Sequence, residues 1–211
     1  VTAVRPEPSV LEGRYIRLEP LTRDRVSELF PVIAHPIVFE GGYGGGPAGY
    51  RDTEDEFVDW ALGYYQWDKG NPYLAVITTG PHRDRIVGTT TLGDFEPELE
   101  SAHIGWTAFD PRVWGTAVNP ESKLLLLGLA FDHGFGRVKI QADALNMRSR
   151  AAIDKLGATF EGIARRDRPR ADGTWRDSAV SSIILDDWPP VKARLLKRLD
   201  SYEGNPVTLH E

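Results

Sequence analysis

The chain has 211 residues and a formal net charge of −6, with acidic and basic side chains of both signs spread along it. That length suits one globular domain over residues 1–211, with a core at about 13–200 and flexible termini, and the acidic balance argues against nucleic-acid capture and for a cationic acceptor. No cysteine is present, which excludes disulfides, thiolate metal ligands and a cysteine nucleophile, and the scattered His35, His82, His103, His133 and His210 lack the spacing of a histidine metal site, so no metal is expected.

Residues 15–19 alternate as a half-buried strand does, and from Thr22 onward Val26, Leu29, Phe30 and Ile33 recur at helical spacing. A glycine-rich loop at 41–49 precedes a second helix from about Thr53, whose apolar face is Phe57, Trp60, Ala61 and Tyr64 and which Pro72 is expected to end. Strands are predicted at 73–77, 85–92 and 102–109, forming an antiparallel meander. Asn119-Pro120 is a helix-start signal, and the helix from there to about Gly134 is apolar around most of its circumference, as a helix packed on a sheet would be. A strand at 137–142 follows, then a short helix opened by Asn146 and stopped by Gly157, with Ala151, Ala152, Ile153 and Leu156 on its buried side. Asp172-Gly173 turns a hairpin between a strand from near Thr159 and one at 175–185, and Trp188-Pro189 starts a last helix ending near Tyr202.

The order is strand, two helices, three strands, helix, strand, helix, two strands, helix. This predicts the α+β class: a mixed, mostly antiparallel twisted sheet flanked by helices, without internal repeats. The longest apolar run, 124–131, is interrupted by Gly128 and too short to span a bilayer, and the N-terminus lacks an apolar stretch of signal-peptide length, so a cytoplasmic protein without membrane contact is expected.

Chemistry concentrates at 109–120, where a strand passes through small residues into a helix. A helix N-terminus presents unpaired amides and a partial positive charge, and Gly115 and Ala117 let phosphate oxygens approach the backbone. A pyrophosphate suits such a loop, as does an ordinary strand-to-helix turn. A nucleotide triphosphatase does not fit, because no Gly-Lys-Ser/Thr ends the loop and Lys123 lies too far into the helix. The glycines at 44–49 match a dinucleotide fingerprint literally, but they follow a helix and open none, so the Rossmann reading fails.

Arg112-Val113-Trp114-Gly115-Thr116-Ala117 resembles the pyrophosphate loop of the GNAT N-acetyltransferase superfamily, which reads Gln or Arg, two variable residues, Gly, one variable residue, then Gly or Ala. The segment from Asn146 to Lys155-Leu156-Gly157 is similar to a second family signature, and the likeness covers roughly 13–200 in element order. The Trp-Gly loop and the tryptophan-proline start of the last helix resemble the branch of ribosomal-protein N-terminal acetyltransferases.

The resemblance implies an acyl-CoA co-substrate, acetyl-CoA or another donor such as succinyl-CoA. It implies that Arg112 belongs to the pyrophosphate loop, that backbone amides of Trp114, Gly115, Thr116, Ala117, Val118 and Asn119 hold the pyrophosphate, and that the strand end from Thr107 to Phe109 pairs with the pantetheine. Asn146 would hydrogen-bond that arm, Arg150 would meet the ribose phosphate, and Ser149 would protonate the departing thiolate. The family's usual tyrosine acid is replaced here by Ile153, leaving Ser149 or water. The acceptor implied is a primary amine, whether a protein N-terminus, a lysine or a small molecule, and a homodimer is one assembly the family uses.

A lysine-type amine is protonated at neutral pH, so a base or a water chain must take a proton from it. His103 is the first choice, sharing a predicted strand face with Gly105 and Thr107; Glu40 and Asp94 are alternatives, and His103 also reads as a buried strand histidine without a catalytic role. Arg165, Arg166, Arg168 and Arg170 read as a solvated edge strand or as a receptor for an anionic acyl group or acceptor, and Trp60, Trp67, Trp106 and Trp175 as core or as acceptor pocket. Missing an unambiguous base, the chain also fits a noncatalytic acyl-CoA sensor.

Overall fold

Eight strands form one sheet in the computed structural model, which describes residues 2–211. In chain order they are β1 (Leu11–Glu12), β2 (Ile16–Pro20), β3 (Gly70–Ile77), β4 (Ile86–Glu96), β5 (Ser101–Phe109), β6 (Arg137–Asp143), β7 (Thr159–Pro169) and β8 (Trp175–Ile184). Their spatial order is β1-β2-β3-β4-β5-β6-β8-β7, antiparallel throughout except for the parallel pair β5 and β6. This is the predicted α+β class.

The helices are α1 (Phe30–Ile33), α2 (Pro36–Glu40), α3 (Glu54–Tyr64), α4 (Val118–Asp132), α5 (Met147–Leu156) and α6 (Trp188–Asp200). Alternation in the strands sends Leu92, Ala102, Ile104, Val138 and Ile140 to one face, where they meet Leu126, Leu127 and Ala130 of α4, Ile153 and Leu156 of α5 and Leu195 of α6. The opposite face buries Leu74, Val76 and Ala108 under Val26, Leu29, Ile33, Phe57 and Ala61. Each such aliphatic side chain contributes about 1.5–3 kcal/mol on burial, so both layers are needed to hold the sheet.

Three local expectations are corrected. The segment after Thr22 is a 3-10 run, Arg23–Leu29, followed by the single turn α1 and a separate α2. Pro31 and Pro36 account for this, since each lacks an amide donor and its ring clashes with the carbonyl four residues back in a continuous α-helix. Pro72 does not end α3, which stops at Tyr64, but lies inside β3. Its carbonyl accepts from Leu21 N at 2.9 Å on the side where β2 has already ended, so the absent N–H removes no ladder bond there. Asn119 is the second residue of α4 rather than its cap; Ala117 holds that place, without a side-chain hydrogen bond.

A buried carboxylate fixes α4 against the sheet. Glu121, 2% exposed, accepts the amides of Tyr15 and Ile16 on Oε2, both at 2.7 Å, and that of Arg14 on Oε1 at 2.8 Å.

The parallel pairing of β5 and β6 runs only from Ser101↔Arg137 to Ile104↔Ile140, yet β5 continues to Phe109 and β6 to Asp143. A bulge sits where they part: the register with β4 slips between Thr91↔Gly105 and Thr89↔Ala108, and Trp106 has φ +48°. Beyond Ile104 the strands splay and a cleft opens between them. No helix is long and apolar enough to cross a membrane, and no group of three His, Cys, Asp or Glu among the described residues could hold a metal ion.

Candidate active site

The cleft has a volume of about 320 Å³, within the range of small-ligand sites. Its walls are the diverging ends of β5 and β6, the loop into α4, and the first turns of α4 and α5. Past Ile104 the β5 backbone faces no β6 partner, so an extended ligand can pair with it as a further strand would.

At the wide end, Asp110 caps a 3-10 turn, Pro111–Val113, by accepting Arg112 N at 3.0 Å. The Arg112 guanidinium folds back onto the same carboxylate, with Nη2 2.7 Å from Oδ2. Burial pushes the Asp110 carboxyl up, but Arg112 brings it below its ordinary range. The Arg112 side chain is thereby occupied and does not line the cleft. Gly115 has φ +81°, and a Cβ there would meet nothing within 4 Å, so the backbone lies open to the cleft. The amides of Gly115, Ala117 and Asn119 have no acceptor among the described residues. Thr116 turns its hydroxyl to Val113 O at 2.7 Å, while Ala117 and Val118 are buried.

Asn146 caps α5, its Oδ1 accepting Ser149 N at 2.9 Å, and its Nδ2 donates to Gly41 O, tying the helix to the loop after α2. Ser149 lines the cleft, and its hydroxyl has no partner among the described residues. Thr107 and Phe109 line the β5 side and Ile153 the floor. Arg148 reaches from α5 across the opening, its Cζ 3.5 Å from the centre of the Trp114 ring.

Other expected groups are committed elsewhere: the amides of Trp114, Thr116 and Val118 donate to Pro111 O, Val113 O and Thr116 Oγ1 within the loop, and the side chains of Arg150 and His103 lie outside the cleft. Arg150 is on the outer side of α5, donating to Ala144 O at 3.1 Å beside Phe160. His103 does not line the cleft. It shares a face with Gly105, where an added Cβ would lie 2.7 Å from its ring, but the extra residue at the Trp106 bulge sends Thr107 to the opposite face. Its Nδ1 is 2.9 Å from Asp94 Oδ2, and its buried Nε2 has no partner among the described residues. Burial lowers the imidazole below its usual range, which outweighs the opposite pull of Asp94 and leaves it neutral at pH 7. The alternatives fare no better, since Asp94 and the exposed Glu40 both lie outside the cleft.

Several cleft residues carry no catalytic or donor-binding role in the sequence reading. Asp143, at the end of β6 and 7% exposed, is the one carboxylate among the described residues lining the cleft; it accepts Leu145 N at 3.0 Å and is paired with Arg170. Tyr43 and Tyr64 stand on the same side, with burial pushing the Tyr64 phenol up to about 12. Arg176 points in half-buried, with no ion pair among the described residues, opposite Arg168 in the β7–β8 register. The sequence places Lys123 too far into α4 for loop phosphates, yet its side chain lines the same cleft one helical turn beyond Asn119. Such residues carry a signal only once the strand ends are known. The glycine loop is anchored: Ala171 N donates to Gly45 O at 3.0 Å, and a Cβ on Gly44 would sit 2.8 Å from both Phe39 and Trp60. Of the arginines on β7, Arg165 and Arg166 are solvated, and of the tryptophans Trp106 lines the cleft whereas Trp60 packs against Phe39 and Tyr64.

A mixed sheet parted between two parallel strands, with free helix-terminal amides at the wide end, leaves a cleft of a shape and polarity suited to an extended anionic ligand. The chain belongs to the GNAT acetyltransferase family, whose acetyltransferase (GNAT) domain model matches residues 16–159. It is similar to a GCN5-related N-acetyltransferase from Brucella melitensis, 25% identical with a TM-score of 0.83 over 99% of this chain and 95% of that one. A protein assigned as an acetyltransferase from T. thermophilus is 30% identical, with a TM-score of 0.81 over 93% of this chain and 100% of its own. The fold is shared with Mycobacterium smegmatis RimJ, solved in complex with CoA-disulfide, at 16% identity and a TM-score of 0.66 over 90% of this chain and 95% of that one. Among curated proteins none matches the chain.

Proposed function

We propose that the chain is a single acyl-CoA-dependent N-acyltransferase domain that moves an acetyl group from acetyl-CoA to a primary amine by direct attack within a ternary complex. The observation that carries this reading is the cleft itself: the side of β5 from Gly105 to Phe109 that has no β6 partner, leading to the free amides of Gly115 and Asn119. The donor supplies an activated thioester carbonyl; the protein supplies the rest. The helix-terminal amides and the open backbone at Gly115 hold the pyrophosphate. The β5 edge and Asn146 align the pantetheine, and the unpartnered Ser149 hydroxyl is the proton donor to the leaving sulfur. Asp143 replaces His103 as the residue that draws the acceptor ammonium in and helps remove its proton, through water, as the amine attacks. No nucleophile on the protein is required.

Arg176, a cation in the cleft with no ion partner, favours succinyl-CoA as the alternative donor. Calorimetric titration with acetyl-CoA and succinyl-CoA, followed by free-thiol release with lysine-, N-terminal- and small-amine acceptors, tests both readings. Micromolar binding of one donor together with amine-dependent thiol release supports transfer; binding without release for any amine supports a sensor; no binding of either overturns the assignment.

A further inference from the structure

The cleft contains a cation that acyl transfer leaves unused. Lys123, in the second turn of α4, is 7% exposed. Its Nζ reaches only two hydroxyls, Thr107 Oγ1 at 3.0 Å and Thr90 Oγ1 at 3.3 Å, which lie 2.8 Å from each other. No carboxylate pairs with it among the described residues. On α4 the nearby Glu121 is consumed by three backbone amides, and β4 and β5 offer only the threonines. From α5 and α6 the charged groups lining the cleft are Arg148 and Arg198, both cations, and across the sheet Asp143 is held by Arg170 while Arg176 adds another cation.

An ammonium here is disfavoured twice. The side chain is buried, and it belongs to the N-terminal half of α4, the positive end of the dipole, in the same cleft as the free amides of Gly115 and Asn119. Burial accordingly pushes the amine down to about 7, which leaves a large neutral fraction at physiological pH. An anion entering the cleft would reverse both penalties.

We propose that Lys123 is a proton-linked anion receptor in the cleft, taking a proton from solvent as the phosphates of CoA enter, so that donor binding is coupled to pH. This rests on the acyl-CoA reading of the site. The lysine is mostly neutral just above neutrality in the free protein and charged in the complex, so binding consumes protons. Across the interval between the free and bound values, affinity for CoA falls by up to about tenfold per pH unit, and beyond it the dependence flattens.

The test is calorimetry with CoA at about pH 8 in Hepes and in Tris, whose ionisation enthalpies differ, on the wild-type protein and on Lys123→Met. Uptake of roughly half to one proton per CoA is expected for wild type and close to none for the variant, whose weaker binding no longer varies with pH. Buffer-independent heats in the wild type, or equal uptake in Lys123→Met, overturn the proposal. Absence of CoA binding in either buffer overturns the acyl-CoA reading instead. An independent measurement needs no variant: ¹³C NMR of the lysine ε-carbons should show one lysine titrating near neutrality in the free protein and at least about one pH unit higher with CoA bound. A lysine titration that CoA leaves unmoved also overturns it.

Discussion

Replacing Glu121 with alanine would strip the acceptor from three backbone amides at once. The carboxylate of this 2%-exposed residue receives Arg14, Tyr15 and Ile16 at 2.7–2.8 Å, at the point where β2 begins and α4 completes its first turn. Each buried amide left without an acceptor costs about 1–3 kcal/mol. Against this stands a gain, because the folded protein no longer buries a carboxylate, and that burial pushes the Glu121 carboxyl above its ordinary range despite three amides pulling it down. The expected net loss is roughly 3–5 kcal/mol, a large part of the 5–15 kcal/mol typical of a domain. Glu121→Gln keeps the shape and one acceptor but turns an NH₂ towards amides that are themselves donors, so about half that loss is expected. Urea unfolding followed by circular dichroism reads both values from the midpoint at unchanged slope. A Glu121→Ala midpoint within about 1 kcal/mol of wild type would refute the claim that this carboxylate fastens α4 to the sheet.

Gly115→Val places a side chain in open space at φ +81°, so the protein should stay folded with a loss of about 1–2 kcal/mol while CoA affinity falls more than tenfold by calorimetry. Ser149→Ala should lower turnover in a thiol-release assay by roughly tenfold to a hundredfold and leave donor affinity unchanged; an unaltered rate removes it as the proton donor. His103→Gln should leave the pH profile of turnover unchanged, because the imidazole is neutral and outside the cleft, yet reduce stability as Asp94 loses its partner. For the unliganded protein, Lys123 is lowered from 10.5 to about 7, so the unfolded chain binds more protons between those values and stability should rise with pH across that window. Urea midpoints measured from about pH 7 to pH 9 should show the slope in wild type and its loss in Lys123→Met.

Strand patterning located seven of the eight strands within a few residues, leaving out the two-residue β1, and the small residues before α4 and the asparagine cap of α5 pointed to both sides of the cleft. What stayed hidden depended on register. The Trp106 bulge carries no proline or asparagine signal, yet it moves Thr107 to the face opposite His103, and with it the argument for His103 as base. Asp143 and Arg176 are ordinary residues near strand ends until the β6–β8 and β7–β8 pairings turn them towards one space. Lys123 and Glu121 look like the solvated charges of a helix's first turns. They are buried because the α4 N-terminus is wedged between β2 and β5, a tertiary fact that no local pattern records.

An eight-stranded sheet ordinarily has two borders, and this one has them at β1 and β7. The parting of β5 and β6 adds two more inside the molecule, with unpaired backbone of the kind that invites strand addition from neighbours. A foreign β-strand needs close to 5 Å of lateral room and carries side chains on both faces, whereas here Ile153 fills the floor and Arg148 bars the opening against Trp114. The inner borders are therefore lined by side chains of the cleft rather than laid open to neighbouring molecules as an outer edge is. The same backbone that would make an exposed edge prone to aggregation lies here inside the fold, walled by α4 and α5.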